Sequence, residues 1–192
     1  MKIGIIAEDD SDVEVISEIT LALLKTKAVG FKRFIGGGCG KVARKCAAWA
    51  RILVQQGCAS IIVVHDLDTN DERQLRHDLT AAVAPANATH SVVLIPKREI
   101  EAWLLYDAAA IAAAFRETKH PKVPGDPESL PDPKRYLGDL IWRKYHKKYL
   151  NTIHNAQIAR RINVSRLRQS PSFAPHITFT SGVRQTLPRG AR

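Results

Sequence analysis

Residues 60–68 read SIIVVHDLD, a run of Ile and Val that ends in two aspartates two positions apart. Four consecutive β-branched residues predict a strand that is buried on both faces, as the strands of parallel sheets are. Residues 2–8 read KIGIIAE and follow the same design, with an apolar run that ends in Glu8. Both stretches therefore predict core strands whose carboxyl ends carry acidic side chains.

On either side of these two strands, short apolar runs alternate with segments of helical periodicity. Predicted strands cover residues 2–7, 31–35, 60–64 and 90–95. The predicted helices begin with a capping-box pattern at Ser11 and Glu14 and continue at residues 41–56, 71–83 and 98–115. This order predicts an α/β fold with a doubly wound sheet of about four parallel strands. Ligands of such sheets bind beyond the carboxyl ends of the strands.

The sequence divides into an α/β domain and a basic α-helical C-terminal extension. Residues 1–118 form the predicted domain, and residues 119–133 contain five prolines, which indicates a connector rather than a helix. The basic extension is predicted over residues 134–180, and residues 181–192 are predicted to be a loose tail. Helices within the extension are predicted at residues 134–150 and 155–162.

Charge is distributed unevenly along a chain whose formal net charge is +10. Residues 1–118 carry 14 Lys/Arg and 15 Asp/Glu, whereas residues 119–192 carry 15 Lys/Arg and 4 Asp/Glu. This imbalance predicts chemistry in the first part and contact with a polyanion in the second. The alternative is a basic surface that only promotes solubility. The residues predicted to contact nucleic acid are Lys41, Lys97, Arg98, Arg143, Lys144, Lys147, Lys148, Arg160 and Arg161.

The aromatic residues of the basic segment are interpreted as the core face of its first helix. They are Tyr136, Trp142, Tyr145 and Tyr149. The apolar runs of the chain are far shorter than a membrane span, and the run after Lys2 is too short for a signal peptide, so a cytoplasmic protein is expected. Three cysteines without C-x-x-C spacing predict reduced, mostly buried thiols rather than a zinc or disulfide framework.

Acidic side chains follow three of the four predicted strands. Glu8, Asp66 and Asp68 are the candidate catalytic and metal-binding residues, since no helix start requires Glu8 or Asp66, and the two aspartates of a continuing strand would face one side. Crowded carboxylates raise one another's pKa, and a divalent cation removes that cost. Oxygen-only ligands indicate Mg²⁺ or Mn²⁺. Further candidate acids are Asp12, Glu99 and Glu101.

Other polar residues near these acids have structural interpretations. Asp9 and Asp10 are interpreted as acids that favour the start of a helix, and one of Glu99 and Glu101 has the same explanation. By strand alternation, His65 is predicted to face away from the Asp66 side and to be a packed histidine.

Residues 6–12 (IAEDDSD) and 63–68 (VVHDLD) resemble the Toprim superfamily, in which a Glu ends the first strand and Asp-x-Asp ends the third. The resemblance is in particular to small stand-alone Toprim-like proteins related to OLD-family nucleases. It extends through residues 95–105 to Ser172 and Phe173, and covers most of residues 1–175. One departure is Asp9, where many members have Gly.

This resemblance implies a Mg²⁺-dependent phosphodiester hydrolase that acts on nucleic acid, with DNA favoured over RNA. Glu8 would act as general acid or base, and Asp66 and Asp68 would bind the metal. No tyrosine is placed as a topoisomerase nucleophile, which favours hydrolysis over strand passage. OLD-type relatives carry an ATPase, and no ATPase motif is visible here, so the resemblance implies a separate ATPase partner in a defence or repair setting.

Three alternatives remain open from the sequence. The first is a catalytically weak nucleic-acid-binding or regulatory subunit with a degenerate site. The second is a receiver-like phosphoacceptor domain with Asp66 and Lys97, although only one predicted strand separates these residues where a receiver has two. The third is a phosphate-binding loop at residues 36–41 (GGGCGK), which lacks the Gly at position 35 and the Ser or Thr at position 42 of a Walker loop.

Overall fold

The computed structural model describes residues 1–187, apart from the side chain of Cys39, so residues 188–192 of the predicted tail lie outside the described part. Four strands alternate with helices along the first half of the chain, and helices make up most of the rest. The strands are β1 (Lys2–Ala7), β2 (Gly30–Ile35), β3 (Ser60–Val64) and β4 (His90–Leu94). The helices are α1 (Asp10–Leu24), α2 (Cys39–Gln55), α3 (Glu72–Val83), α4 (Glu101–Leu104), α5 (Ala108–Ala114), α6 (Pro133–Tyr145), α7 (Asn151–Ala159) and α8 (Ala174–Thr186).

All four strands pair in parallel, in the order β2-β1-β3-β4. This arrangement confirms the predicted α/β class with a four-stranded parallel sheet and a helical C-terminal part. The chain leaves β1 toward one edge of the sheet and returns through β3 on the other side, so β1 and β3 are neighbours, with Ile6 opposite Val63. Such a reversal opens a crevice beyond the carboxyl ends of the two central strands. Glu8 and Asp66 follow those two strands.

Two apolar layers cover the sheet, because its strands present hydrophobic side chains on both faces. On one face, Ile5 and Ile62 pack in a core that includes Trp103 from α4 and Phe173. On the other face, Ile61 and its neighbours pack against buried residues of α2 and α3. The pleat sends alternate strand residues into each layer, as expected for a sheet covered on both sides.

The C-terminal helices share the core of the sheet. Helix α7 packs on α1, and α8 packs on both α1 and β4. Ile158 and Val183 from these helices are fully buried in the same apolar cluster as the residues of β1. The basic segment is thus built into the α/β core and positions side chains close to the strand ends.

Several predicted helix boundaries are wrong. The helix predicted over residues 98–115 is two helices, because Asp107 Oδ1 accepts hydrogen bonds from the amides of Ala109 and Ala110 and starts α5. The helix predicted over residues 134–150 ends at Tyr145, since His146 adopts a left-handed conformation with φ 53°. Helix α8 continues to Thr186, so residues 181–186 are helical and not a loose tail.

Two further predictions concern membranes and thiols. None of the helices within residues 1–187 combines the length and the apolar character needed to cross a membrane. Cys46 and Cys58 are free and buried, as predicted, and burial raises the pKa of the Cys46 thiol to about 11. The corresponding prediction for the Cys39 thiol falls on a side chain outside the described part.

Candidate active site

The structure brings Glu8 and Asp66 together at the switch point of the sheet. The backbone amide of Asp66 donates a hydrogen bond to Glu8 Oε1 at 3.3 Å, across 58 residues of sequence. Parallel pairing of β1 with β3 places the two strand ends side by side, so the residues that follow them meet. Burial raises the pKa of the Glu8 carboxyl above its usual value, although His65 and the hydrogen bond from the Asp66 amide lower it, and the charges of Asp68 and Asp9 add to the rise.

Asp66 holds the most unfavourable position among the acids. Its Oδ1 atom is buried and has no hydrogen-bond partner among the described residues. Burial raises the pKa of the Asp66 carboxyl well above its usual value, and the charges of Asp12, Glu8 and Glu101 raise it further. An unpaired buried carboxylate among like charges is costly unless it is protonated or bound by a cation.

Asp12 lies near Glu8 and Asp66, in the first turn of α1, and these three residues together with Glu101 form the acid cluster. The helix begins with a capping box in which the Asp12 amide donates to Asp9 Oδ1 at 3.0 Å and the Asp9 amide donates to Asp12 Oδ2 at 3.3 Å. The prediction that Ser11 and Glu14 form the box is therefore wrong by two residues. Burial raises the pKa of Asp12 to about 8, with further contributions from the charges of Asp9, Glu101 and Glu8.

Asp9 and Asp10 have the structural roles expected from the sequence. Asp9 is the N-cap of α1, and Asp10 lies in its first turn, where an acid is favoured by the helix dipole. The exposed carboxylate of Asp10 also lies 3.4 Å from the guanidinium of Arg33. These two acids stabilise the helix start, and Asp12 is the acid of this segment that is buried with the cluster.

Glu101 is held in the cluster by residues that are remote in sequence. This residue is only 4% exposed, and its Oε1 accepts a hydrogen bond from Asn155 Nδ2 at 3.0 Å and lies 3.2 Å from Tyr149 Oη. Asn155 Nδ2 also lies 2.9 Å from Ser11 Oγ, and Asn155 Oδ1 accepts from the Tyr149 hydroxyl at 2.5 Å. Burial and the charge of Glu101 raise the pKa of the Tyr149 phenol, which keeps it a hydrogen-bond donor.

Sequence reasoning missed Ser11, Tyr149 and Asn155 as residues of this site. Tyr149 is predicted from the sequence to lie on the core face of a helix. In the structure, that helix, α6, ends at Tyr145, before Tyr149. Asn155 can be recognised as a residue of the site only from the folded structure, where it is fully buried. A buried polar side chain needs hydrogen-bond partners. Two of the partners of Asn155, Ser11 and Glu101, lie on α1 and α4, so no local pattern in the sequence could have identified them.

Glu99 and Glu101 differ in their roles. The Glu99 carboxylate accepts a hydrogen bond from the backbone amide of Lys134 at 2.9 Å, in the first turn of α6. Burial raises the pKa of Glu99, and the Lys134 amide lowers it. Glu101 lies in the first turn of α4, as predicted for one of the two glutamates, whereas Glu99 precedes that helix and stabilises the start of α6.

Asp68 lies at the rim of the cluster. Strand β3 ends at Val64, so the alternation that would have put Asp66 and Asp68 on one side does not continue, and that expectation is wrong. Asp68 is exposed, with φ 46°, and its carbonyl oxygen accepts a hydrogen bond from Arg98 Nη1 at 2.9 Å. Its charge nevertheless raises the pKa of both Glu8 and Asp66.

His65 is packed, as predicted, but it faces the site. Its Nδ1 lies 2.8 Å from the carbonyl oxygen of Asp66 and 3.5 Å from Glu8 Oε1. A carbonyl oxygen only accepts hydrogen bonds, so Nδ1 carries the proton and donates it to the Asp66 carbonyl, beside the Glu8 carboxylate. The predicted orientation away from the Asp66 side is wrong for the same reason as for Asp68: the strand has already ended.

The glycine-rich loop at residues 36–38 lies against the same strand end. The amide of Gly37 donates to the Glu8 carbonyl at 2.8 Å, and Gly37 has φ 67°, which a side chain rarely adopts. A Cβ atom at Gly36 would lie 2.6 Å from Val42 Cγ2. The loop therefore needs glycine at these positions to begin α2 beside Glu8, and Lys41 is exposed in the first turn of that helix.

The predicted nucleic-acid contacts fall into two groups. Lys147 Nζ donates to Glu117 Oε1 at 2.6 Å and to the Phe115 carbonyl at 2.7 Å, and Arg160 forms an ion pair with Glu18. The charged groups of Lys147 and Arg160 are thus paired with carboxylates of the protein itself. The exposed remainder comprises Lys41, Lys97, Arg98, Arg143, Lys144, Lys148 and Arg161. Lys97 and Arg98 follow β4 directly and lie at the edge of the sheet that carries the acids.

Within residues 1–187, no three His, Cys, Asp or Glu side chains are arranged so as to hold a metal ion together. The donor set still matches a hard cation, because it consists of carboxylate oxygens and includes the unpartnered, buried Asp66 Oδ1. Glu8, Asp12, Asp66 and Glu101 are the acids that could supply oxygen ligands to Mg²⁺ or Mn²⁺.

The family model for the Domain of unknown function (DUF4276) matches residues 13–179 of this chain. The match includes Asp66, Glu101 and Asn155, and begins just after Glu8 and Asp12. No curated protein and no solved structure matches the chain significantly.

Proposed function

The chain belongs to the DUF4276 family, and we propose that it is a Mg²⁺- or Mn²⁺-dependent phosphodiester hydrolase that cuts nucleic acid. The observation that carries this proposal is the buried, unpartnered Oδ1 of Asp66 beside four other acids. Such a carboxylate destabilises the fold unless a cation or a proton compensates it. Carboxylates retained at a strand-end crevice in this state are typical of a functional site.

The acids divide by burial and neighbours into binding and proton-transfer roles. Asp66, Asp12 and Glu101 would hold the cation from the buried side, and Asp68 would approach it from the rim. A bound Mg²⁺ supplies charge stabilisation to the phosphate and lowers the pKa of a water molecule. Glu8 is suited to accept or hold a proton, because burial raises its pKa. His65, whose Nδ1 lies 3.5 Å from Oε1, acts in the opposite direction and favours the carboxylate form.

Nucleic acid is the substrate class that the charge distribution supports. Lys97 and Arg98 are exposed at the edge of the acid cluster, where they can contact a phosphate that approaches it. The segment 119–192, with 15 Lys/Arg against 4 Asp/Glu, supplies further positive charge. DNA as the preferred polymer and a separate ATPase partner extend the proposal on the basis of the Toprim resemblance. A cytoplasmic location extends it on the basis of the short apolar runs of the sequence.

A nuclease assay with matched variants tests this function. Plasmid DNA, linear DNA and RNA are incubated with Mg²⁺ or Mn²⁺, with and without EDTA. We expect cleavage that EDTA abolishes and that Asp66→Asn removes. Asp78→Asn is the control, since Asp78 is an exposed acid on α3, outside the cluster. Cleavage that survives both EDTA and Asp66→Asn would contradict the proposal.

A second candidate is a nucleic-acid-binding or regulatory subunit with little catalytic activity. It is favoured by the side-chain arrangement, in which no described trio of acids and histidines is ready to hold a metal ion. Binding of DNA without cleavage, under conditions where the protein also shows no Mg²⁺-dependent rise in melting temperature, would favour this candidate. The receiver-like alternative is disfavoured, since only β4 lies between Asp66 and Lys97.

A further inference from the structure

Trp142 is exposed on the basic helix α6 and is not one of the residues that pack this helix against the core. The buried side of α6 is formed by Leu137, Leu140 and Ile141, whereas the Trp142 residue is 57% exposed. The interpretation of all the aromatic residues as a core face is therefore wrong for Trp142. A large aromatic side chain left in water beside a complete apolar face is typical of a binding surface.

The surroundings of Trp142 are mainly cationic and aromatic, and they include Asp139, whose carboxylate lies 3.9 Å from Arg135 Nε. Arg135, Asp139, Trp142, Arg143 and His146 form one exposed stripe at helical spacing. The His146 ring stands edge-on to the indole, with the ring centroids 6.1 Å apart. One face of the indole can thus be supported by the protein while the rest of its surface remains open. This combination of an aromatic platform and positive charge fits nucleic-acid bases and phosphates.

The stripe leads to the acid cluster. At the first turn of α6, the amide of Lys134 donates to the Glu99 carboxylate at 2.9 Å. Trp142 is eight residues further along, which corresponds to about 12 Å along the helix axis. That distance is about three to four base steps of a nucleic-acid strand. A strand that contacts Trp142 therefore has the reach to present a phosphodiester to the cluster.

The chain after α6 also returns toward the acids. It reverses at His146, with φ 53°, and Tyr149 then lies close to Gly138, near the middle of the helix. The Tyr149 hydroxyl reaches Glu101 at 3.2 Å. Residues 146–149 thus connect the Trp142 end of α6 to the cluster, and Lys148, on this segment, is exposed.

We infer that Trp142 stacks on an unpaired base of a single-stranded nucleic acid, with the phosphates along Lys148 and Arg143. This inference rests on the proposed function and specifies its substrate class: single strands, ends or bulges rather than intact duplex. In a duplex the base faces are covered by their neighbours, whereas in a single strand each base offers a face to an aromatic ring. The excess of Lys and Arg in residues 119–192 favours this partner over a protein.

Fluorescence anisotropy with two probes tests the inference. The probes are a labelled oligothymidylate and a blunt duplex of the same length, measured in EDTA so that no cleavage occurs. Trp142→Ala should weaken binding of the single strand by about 5- to 150-fold, the range for loss of one base–aromatic stack, and leave duplex affinity unchanged. Trp142→Phe should retain part of the affinity. Ile52→Ala, at a 37%-exposed apolar residue of α2, is the control and should bind like the wild type.

The outcomes separate this inference from the proposed function. Equal single-strand affinity of Trp142→Ala and the wild type would overturn the inference, and a docking surface for a protein would then be the better explanation of the exposed indole. Metal-dependent cleavage by that variant would leave the proposed nuclease intact. If the wild type binds neither probe at low salt, the nucleic-acid substrate and the stacking role fail together.

Discussion

Asn155 donates a hydrogen bond to the Glu101 carboxylate at 3.0 Å across 54 residues of sequence, and both side chains are buried. The same amide nitrogen lies 2.9 Å from Ser11 Oγ, so one side chain of α7 joins α1 and α4 beside the acid cluster. The basic C-terminal segment therefore contributes to the site itself, because it positions one of the acids.

Replacement of Asn155 by Ala should destabilise the protein and weaken its response to metal. The Glu101 carboxylate would lose a buried donor, which costs about 1–3 kcal/mol in the free energy of unfolding. Urea unfolding with and without Mg²⁺ measures both effects. Thr152→Ala, at an exposed position of the same helix, should behave like the wild type. A purely structural role for Asn155 would lower stability and leave the Mg²⁺-dependent gain unchanged.

Mg²⁺ or Mn²⁺ should raise the melting temperature, because it compensates the crowded carboxylates of the folded state. Metal at about 100 times its dissociation constant stabilises the folded state by about 2.7 kcal/mol. Asp66→Asn should remove most of that gain and should itself stabilise the metal-free protein, since it removes a buried charge that lacks a partner. Thermal unfolding of the wild type, Asp66→Asn and Asp78→Asn, each with and without metal, checks this. Identical metal responses in the three proteins would argue against the site.

Stability of the metal-free protein should fall as the pH rises toward 8. Burial raises the pKa of Asp12 from 3.8 to about 8 in the folded state, so the folded protein binds a proton that the unfolded chain has released. The stabilisation from this proton is complete below pH 3.8 and is lost as the pH rises through about 8. Asp12→Asn should flatten this dependence, as measured by urea unfolding.

The measurement belongs above pH 6.5, because His176 acts in the opposite direction at lower pH. Burial lowers the pKa of His176 from 6.5 to about 3, so its neutral ring stabilises the folded state above pH 6.5, and that stabilisation is lost as the pH falls. Between pH 6.5 and 8.5, the raised pKa of Asp12 should dominate, and the raised pKa of Asp66 acts in the same direction. A stability that increases with pH in this range would contradict the assignment.

The exposed lysines of the basic segment should carry nonspecific affinity for nucleic acid. Combined substitution of Lys144 and Lys148 by Glu should weaken binding and lower the slope of log K against log salt by about 0.9 for each duplex phosphate that the protein no longer neutralises. Arg160→Ala should change binding little, since Arg160 already forms an ion pair with Glu18. Anisotropy titrations at several salt concentrations compare the two variants. Equal effects of the two changes would indicate a general effect of net charge.

The sheet and the position of its functional edge follow from the sequence alone. The runs KIGIIA and SIIVV are apolar and rich in β-branched residues, so they form strands buried on both faces, and Glu8 and Asp66 follow them closely. Parallel strands bring their carboxyl ends to one edge whatever the details of packing. Local composition is enough for these conclusions, because the apolar residues of a strand themselves show which of its faces are buried.

The set of side chains that completes the site depends on tertiary packing. The predicted strand and β3 both end at Val64, and strand alternation no longer applies beyond that residue, so Asp68 and His65 depart from the orientations that alternation predicts. Asp12 and Glu101 become buried neighbours of Asp66, and Asn155 becomes their support, because α7 packs on α1. That packing depends on apolar contacts between segments more than 100 residues apart. Helical periodicity in the sequence shows which face of each helix is apolar, but not which other helix that face contacts.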